Sequence, residues 1–383
     1  MTTSLGTVKD SKPVANQIEK SIPVNFLLNN DILSFEVGSY NNKEDLIIDP
    51  TLVFSTYSGS FANNFGFTAT YDNAGNLYAG GSVFSEGYPT TLGAYDLTFS
   101  SNAYWGFDAG VVWGISDIGI TKYSGDGISR LYSTYIGGNR CEVPHSLIVN
   151  NRNELFVLGT TSSSNYPVTM DAFDPTFNGG DTTNLANGIF INYTHGSDIV
   201  VSRLSVDGSA MLASTYVGGT ENDGLNLNVD LVANYADQMR GEIILDEFQN
   251  VVIGSSTASS DFPTTLGAYQ NIYGGGEQDG VVFKMDENLS GIIWSSYIGG
   301  SDADGVYSII QSNSNDVYVA GGTKSQNLSF PSGAYQSSYQ GGITDGFYVK
   351  LSGSGTSILN GSYFGSDKYD QIYFIREDKF DQI

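Results

Sequence analysis

The sequence predicts an all-β protein: a β-propeller of four-stranded antiparallel blades, with four complete blades, a partial fifth and a short N-terminal β segment. A tyrosine phrase that recurs five times carries this prediction, because self-similarity at a long, nearly constant period marks a repeat architecture. The 47 glycines, 25 tyrosines and 21 phenylalanines fit short strands joined by many turns. The repeated tyrosines, spaced 78, 81, 81 and 66 residues apart, are Tyr57, Tyr135, Tyr216, Tyr297 and Tyr363.

Four strand signals recur in each unit. In the unit that ends at Tyr363 they are runs at 306–310, 316–323 and 345–351, followed by the tyrosine phrase, which a glycine-rich turn at 352–356 introduces. Each run is rich in Val, Ile, Tyr and Phe and is bounded by Gly, Asn, Asp or Ser, which is typical of a strand. Four antiparallel strands in a repeated unit form a propeller blade. The predicted blade units are 51–135, 136–216, 217–297, 298–363 and a partial unit at 364–383.

Residues 1–50 do not repeat. Two alternating stretches, 22–28 and 32–37, are joined by Asn29-Asn-Asp31 and predict a β-hairpin at the end of an N-terminal β domain. The repeat runs into a fifth unit at the other end, where a blade cut short would leave strand edges unpaired. We therefore expect that the chain is an internal fragment of a longer protein. Its unpaired strand edges would allow it to self-associate. In the intact protein, residues 51–57 would complete the last blade.

The negative charge argues against nucleic acid as a partner. With 41 acidic and 16 basic residues, the chain has a formal net charge of −25, which repels the phosphates of nucleic acids and anionic lipid surfaces.

No run of about 18 apolar residues is present, so no membrane span is predicted. The first residues lack the charged and apolar regions of a signal peptide. Cys141 is the single cysteine, so the chain forms no internal disulfide.

Acidic residues recur in register with the repeats. Because Asp and Asn accept hydrogen bonds from nearby backbone amides, a residue of this kind in every unit predicts a turn needed in every unit. One series lies seven residues after each tyrosine, and the other begins the fourth strand signal of each unit. They are Asn64, Glu142, Asp223, Asp304 and Asp370, and Asp108, Asp198, Asp279 and Asp345.

Calcium binding is an alternative for two short loops, 221–224 and 301–305, because several oxygen donors lie close together in each. The expected ligands are Glu221, Asp223, Asp302 and Asp304. No other cofactor is expected.

No catalytic residue is predicted. His145 and His195 are the only histidines, and neither belongs to a nucleophile-elbow phrase. Cys141 is four residues from His145 on a predicted strand entry, which does not supply an oriented Cys–His pair. Two carboxylates at the separation needed for glycoside hydrolysis remain an alternative that sequence spacing cannot test.

Three aromatic residues occur in one unit and are not repeated in the others. They are the candidate ligand-binding residues, since exposed aromatic rings can stack on the faces of sugar rings. They are Tyr104, Trp105 and Trp113.

The segment 226–240 interrupts the third unit and is a candidate partner contact, because insertions in repeats map to loops. A loop phrase such as Tyr88-Pro-Thr-Thr-Leu-Gly-Ala-Tyr95 also recurs, and the aromatic residue four positions beyond it, Phe99, predicts one helical turn.

Four phrases recur with the repeats: Ser133-Thr-Tyr-Ile-Gly-Gly138, Gly75-Asn-Leu-Tyr-Ala-Gly-Gly-Ser82, Phe262-Pro-Thr-Thr-Leu-Gly-Ala-Tyr-Gln270 and Asp279-Gly-Val-Val-Phe-Lys-Met285. Together they resemble the bacterial SBBP-type β-propeller repeat family, and the resemblance covers 51–383 and extends into 1–50. It implies an exported multidomain protein of the Bacteroidota, often with a C-terminal domain for type nine secretion or of the gliding-motility-associated kind. We therefore expect a non-enzymatic, secreted or cell-surface module that adheres to protein or glycan through loops between strands. A polysaccharide-acting enzyme with channel carboxylates and a calcium-stabilised structural repeat are the alternatives.

Overall fold

The structure is a computed structural model in two compact units, Met1–Tyr57 and Ser58–Ile383. It describes the chain except residues 1, 4–5, 8–12, 18–19, 30–31, 50–54, 101–105, 109–110, 114, 186–190, 235 and 379–382. In the described part, no helix is long and apolar enough to cross a membrane.

The first unit consists of short strands. Its strands are β1 (Thr2–Thr3), β2 (Gly6–Thr7), β3 (Val14–Gln17), β4 (Lys20–Ile22), β5 (Val24–Asn29), β6 (Ile32–Val37) and β7 (Ile47–Asp49). β5 and β6 form the predicted hairpin, in which Phe26 lies opposite Phe35. β3 pairs with both β4 and β7, and Ala15, Ile22 and Val24 form a small core.

In the part of the second unit that the structure describes, there are four sheets of four strands, and each sheet is one blade. The first blade region holds β8 (Asn64–Tyr71), β9 (Leu77–Val83), an inserted hairpin of β10 (Gly106–Asp108) and β11 (Val111–Trp113), then β12 (Asp117–Tyr123) and β13 (Arg130–Ile136). The second holds β14 (Glu142–Val149), β15 (Leu155–Thr161), an inserted hairpin of β16 (Thr183–Leu185) and β17 (Ile191–Tyr193), then β18 (Asp198–Leu204) and β19 (Met211–Val217).

The third and fourth blades follow the same plan. The third begins after two short 3₁₀ helices, Val229–Leu231 and Asp237–Met239, and contains β20 (Glu242–Leu245), β21 (Val251–Thr257), β22 (Asp279–Met285) and β23 (Ile292–Ile298). The fourth contains β24 (Asp304–Gln311), β25 (Val317–Thr323), β26 (Asp345–Leu351) and β27 (Ile358–Phe364).

Every blade is an antiparallel meander, which confirms the predicted all-β fold of four-stranded blades. The tyrosine phrase forms the last strand of each blade, as in the pairing of Gly119 on β12 with Tyr135 on β13. The first strands of successive blades contact one another, β8 with β14, β14 with β20 and β20 with β24. The first strands therefore lie at the centre and the tyrosine strands at the periphery.

The core lies between neighbouring blades. Phe156 and Leu158 of the second blade pack with Ile253 and Phe283 of the third in one buried cluster. Because a sheet between two others must bury both faces, the strand β15 is buried at every position. The same holds for β21 and β25.

The start of one strand was predicted wrongly. Asp108, taken as the beginning of the fourth strand signal in the first unit, lies in the inserted hairpin. The blade strand begins at Asp117, which pairs with Val83 of β9. The inserted hairpin has apolar residues of its own, so its sequence resembles that of the blade strand that follows and was mistaken for it.

The predicted helical turn after each loop phrase is also wrong. Residues 91–100 contain turns and bends without a helix. The backbone here is held against the last strand of the blade, because Asp96 N–H donates to Thr134 Oγ1 at 2.8 Å and Tyr135 N–H donates to the Asp96 carbonyl at 3.1 Å. Pairing with a strand edge is incompatible with the local hydrogen bonds of a helix.

The partial fifth unit forms no strand in residues 365–378. It follows the fourth blade instead, where Ile372 N–H donates to the Gly321 carbonyl at 3.2 Å. Ile375 packs with Tyr318 and Ala320.

Candidate functional site

The repeated tyrosine on the last strand of each blade packs against aromatic side chains of that same blade. The Tyr135 ring lies between the rings of Tyr88 and Phe99, at centroid distances of 5.6 and 6.0 Å. Its hydroxyl donates to the Ser85 carbonyl at 3.3 Å and accepts from Tyr88 N–H at 3.0 Å. Tyr57 lacks such an environment and is 96% exposed. The equivalent trios are Tyr216 with Tyr166 and Phe177, Tyr297 with Phe262 and Tyr273, and Tyr363 with Phe330 and Tyr339.

The loop between the two middle strands of each blade covers the outer strand edge. We call residues 88–98, 166–176, 262–272 and 330–338 the edge loops. In the first, Thr91 N–H donates to the Ser133 carbonyl at 3.0 Å, and Tyr95 N–H donates to the Gly208 carbonyl of the next blade at 2.8 Å. The edge loop therefore pairs with the outer edge of its own blade and fastens that blade to its neighbour.

Three edge loops expose a large apolar side chain at the same position. Each follows the Pro-x-Thr sequence of the loop phrase, and the backbone on either side is fixed by hydrogen bonds such as Ala94 N–H to the Thr91 carbonyl at 3.0 Å. The side chains are Leu92, Met170 and Leu266, which are 99%, 100% and 100% exposed.

The two acidic series meet in pairs between neighbouring blades. Asp279 and Asp304 are both buried, and a Cβ on Gly299 would stand 2.3 Å from Asp279 Oδ1 and 3.0 Å from Asp304 Oδ2. Burial and the nearby charge of Asp304 raise the pKa of Asp279 to about 8, and burial raises the pKa of Asp304 to about 7. The equivalent pairs are Asp117 with Glu142 at Gly137 and Asp198 with Asp223 at Gly218.

Glycine is required between the two carboxylates. Asp279 Oδ1 is buried, and no N–H or O–H group of the described residues donates to it. Since it faces the open side of the Gly299 Cα atom, a weak Cα–H···O contact fits this recurring geometry. The pairs thus lie between neighbouring blades, whereas the sequence predicted only a turn within each unit. Asp117 was missed, although Asp117-Ile-Gly-Ile-Thr-Lys122 matches Asp279-Gly-Val-Val-Phe-Lys284 at both the acid and the lysine.

The four candidate calcium ligands, two in each of two loops, differ in their burial. Asp223 is buried, and it accepts hydrogen bonds from Gly219 N–H at 2.7 Å, from Ser259 Oγ at 3.0 Å and from Thr257. Asp304 is also buried, whereas Glu221 and Asp302 are exposed. Across the described ranges, no group of three or more His, Cys, Asp or Glu side chains could hold a metal ion. Calcium binding stays a prediction.

Ligand binding by the three candidate aromatic residues also stays a prediction. Tyr104 and Trp105 lie outside the described residues, and Trp113 is the last residue of β11. Of the two residues considered for nucleophilic chemistry, His145 places Nε2 3.1 Å from Thr160 Oγ1. Burial raises the pKa of the Cys141 thiol to about 12, which keeps it protonated at neutral pH.

A cavity of about 630 Å³ lies among the first strands of the four blades. The residues that line it were not predicted, because its walls come from parts of the chain that are far apart in sequence. Glu242 is the one acidic side chain in its described lining. This carboxylate accepts hydrogen bonds from Ser308 Oγ at 2.6 Å and from Ile309 N–H at 2.8 Å, and it pairs with Arg376 at 3.2 Å. The lining also includes Phe67, Ile148, Arg240, Ile244 and Tyr307.

Residues 1–51 match the model of a family described as a domain of unknown function, DUF7948. Among curated proteins, none matches the sequence significantly. Solved structures with a similar course of the chain include a protein of unknown function from Dyadobacter fermentans, with 9% identity and a TM-score of 0.42; the match covers 94% of this chain and 75% of that one.

Two further structures are glycan-acting enzymes. The NanB sialidase of Streptococcus pneumoniae is 9% identical, with a TM-score of 0.41, and the match covers 87% of this chain and 58% of the sialidase. A GH43_1 enzyme from Xanthomonas citri, complexed with xylotriose, is 10% identical with a TM-score of 0.35, and the match covers 80% of this chain and 74% of the enzyme. Likeness at this level does not transfer an activity.

Proposed function

We propose that this chain is a non-enzymatic interaction module that contacts a partner through its edge loops. The observation that carries the proposal is the full exposure of Leu92, Met170 and Leu266 at equivalent positions of three successive blades. Apolar area removed from water stabilises an association by about 25 cal/mol per Å². Single exposed apolar residues are ordinary, but one repeated at the same position in successive blades is not. These side chains favour a protein partner, and a glycan is the other candidate.

The rigidity of the edge loops supports a binding role. Their backbone hydrogen bonds run to the outer strand and to the next blade, as described for Thr91 and Tyr95. A side chain presented on a fixed backbone loses little conformational entropy when it is buried by a partner.

The alternative of a polysaccharide-acting enzyme requires two carboxyl groups, about 5 Å apart in retaining and about 6.5–9.5 Å apart in inverting glycosidases. The described lining of the central cavity offers Glu242 alone, and that carboxylate is paired with Arg376. This arrangement supports binding without turnover.

We also propose, from the resemblance of the repeats to SBBP-type proteins of the Bacteroidota, that the chain belongs to an exported protein at the cell surface. Protease treatment of intact cells of the native host tests this proposal. Cleavage of the protein without lysis supports surface exposure, and protection until the cells are lysed contradicts it.

A binding experiment with the edge loops tests the main proposal. The triple variant Leu92→Ser, Met170→Ser, Leu266→Ser is compared with wild type on a glycan array and on purified outer-surface proteins of the native host. We expect binding by the wild type that the triple variant loses. The matched control is Ile128→Ser with Phe248→Ser, since these exposed residues lie outside the edge loops. Release of reducing sugar from a bound glycan, abolished by Glu242→Gln, would replace the proposal with the enzyme.

A further inference from the structure

Arg240 is held in one orientation beside the central cavity. Its Nε donates to Asp237 Oδ1 at 3.1 Å. The guanidinium lies over the ring of Tyr373 at 4.7 Å and that of Phe374 at 5.5 Å, in positions suited to cation–π attraction. The charged group is therefore fixed before any ligand arrives.

The carboxylate that orients Arg240 is itself fixed by the insertion before the third blade. Asp237 is fully buried, and its Oδ2 accepts hydrogen bonds from Ala233 N–H at 2.9 Å, Asn234 N–H at 3.0 Å and Tyr373 Oη at 3.1 Å. These donors satisfy Oδ2 and leave Oδ1 to Arg240. The insertion thus positions a cation at the cavity.

Arg240 donates to Asp237 through Nε. Among the acceptors that the structure describes, none receives a hydrogen bond from its two terminal nitrogens. A guanidinium with two free terminal nitrogens presents the planar fork that binds a carboxylate through two parallel hydrogen bonds. Arg240 lines the cavity, so the fork is open to a ligand there.

The rest of the cavity adds little free charge. Arg376 and Glu242 pair with each other at 3.2 Å. Burial lowers the pKa of His145 to about 3, so its imidazole is neutral at neutral pH. The lining also includes the apolar side chains Phe67 and Ile244.

The cavity has the size of a small-molecule site. Its volume of about 630 Å³ lies within the roughly 300–1,000 Å³ of ligand pockets. We infer that it binds a small organic acid with an apolar body, whose carboxylate lies on the terminal nitrogens of Arg240 and whose body packs against Phe67 and Ile244. This site is separate from the edge loops and does not depend on the interaction proposed for them.

Titration calorimetry with two probes tests the inference. 3-Phenylpropionate carries the carboxylate, and 3-phenylpropionamide has the same shape without the charge. Because hydrogen bonds to charged groups contribute about 1.5–3 kcal/mol, we expect the acid to bind at least about 10-fold more tightly than the amide. Arg240→Gln should remove that difference. Arg152→Gln is the control, since Arg152 pairs with Glu154 and Glu287 at the surface.

A second variant covers the case in which loss of Arg240 unfolds the insertion. Ala69→Trp narrows the cavity and leaves the Arg240–Asp237 pair in place, and it should weaken binding of the acid at least about 10-fold, by steric exclusion. Equal affinity for acid and amide, unchanged affinity in both variants, or no saturable binding of the acid would overturn the inference. Tighter binding of glucuronate than of 3-phenylpropionate would also overturn it and assign the cavity to a sugar. The triple edge-loop variant should bind the acid as wild type does, which separates this test from that of the edge loops.

Discussion

Lys284 and Asp246 form an ion pair at 2.8 Å inside the third blade, with side chains only 12% and 2% exposed. The pair joins the third strand of the blade to the turn between its first two strands. Burial alone would raise the pKa of Asp246, but hydrogen bonds from Lys284 and Asn250 lower it. The equivalent pairs are Lys122 with Asp72 in the first blade and Lys350 with Asp316 in the fourth, both at 3.3 Å.

Lys284→Met should lower the free energy of unfolding by about 3 kcal/mol, because removing one partner leaves a buried carboxylate without its counter-charge. Urea unfolding measures the change. Lys368→Met is the control, since the pair of Lys368 with Asp367 at 3.5 Å is exposed, and exposed pairs contribute little. An equal effect of the two substitutions would show that the buried pair is not a stabilising contact.

Tyr216→Phe tests the repeated tyrosine. The Tyr216 hydroxyl donates to the Ser163 carbonyl at 2.7 Å and accepts from Tyr166 N–H at 3.0 Å. Phenylalanine keeps the ring packing and leaves both backbone groups unpaired, so we expect a loss of about 1–3 kcal/mol in the free energy of unfolding. Chemical unfolding of wild type and variant measures it. Tyr335→Phe, at a position 77% exposed, should leave stability unchanged.

The blades could be predicted because each repeats the same local pattern. A strand such as β26 is a short run of Val, Tyr and Phe between turn residues, and the tyrosine phrase fixes the period. The error at Asp108 arose where an inserted hairpin breaks that period. Local sequence also could not show that the aromatic residue beyond the loop phrase packs on a tyrosine some 36 residues later, as Phe99 does on Tyr135.

The site could be predicted only in part. The recurrence of Asp279 and Asp304 in register was visible, but their meeting across Gly299 depends on how two blades pack. The central cavity depends on more distant relationships still, since Phe67 and Arg376 reach it from opposite ends of the second unit. Contacts between blades follow from the arrangement of the sheets side by side about a centre, which no single repeat encodes.

The paired acids predict an unusual pH dependence. The pKa values of Asp279 and Asp304 are raised to about 8 and about 7 in the fold, from 3.8. A carboxyl group with a raised pKa favours folding at low pH and loses that contribution as the pH rises through the folded-state value. The stability contributed by this pair should therefore fall between about pH 4 and about pH 8, when one or both carboxyls must ionise.

Asp279→Asn isolates this contribution. The amide cannot ionise, so the fall in melting temperature between about pH 4 and about pH 8 should be smaller in the variant than in wild type. Melting curves across this range measure the difference. Asp367→Asn, at an exposed residue, should follow the wild-type profile. Identical profiles for wild type and Asp279→Asn would mean that the pair does not hold a proton near neutral pH.

Gly299→Ala tests the contact between the carboxylates and the glycine. The added methyl group would stand 2.3 Å from Asp279 Oδ1, and overpacking of this kind typically lowers stability by about 1–3 kcal/mol. Gly66→Ala is the control, because a Cβ there meets nothing within 4 Å. Removing the opposing oxygen should relieve the conflict, so Gly299→Ala should be less destabilising in an Asp279→Ala background than in wild type. Chemical unfolding of the four proteins gives the coupling energy. Additive effects would place the origin of the glycine requirement elsewhere in the backbone.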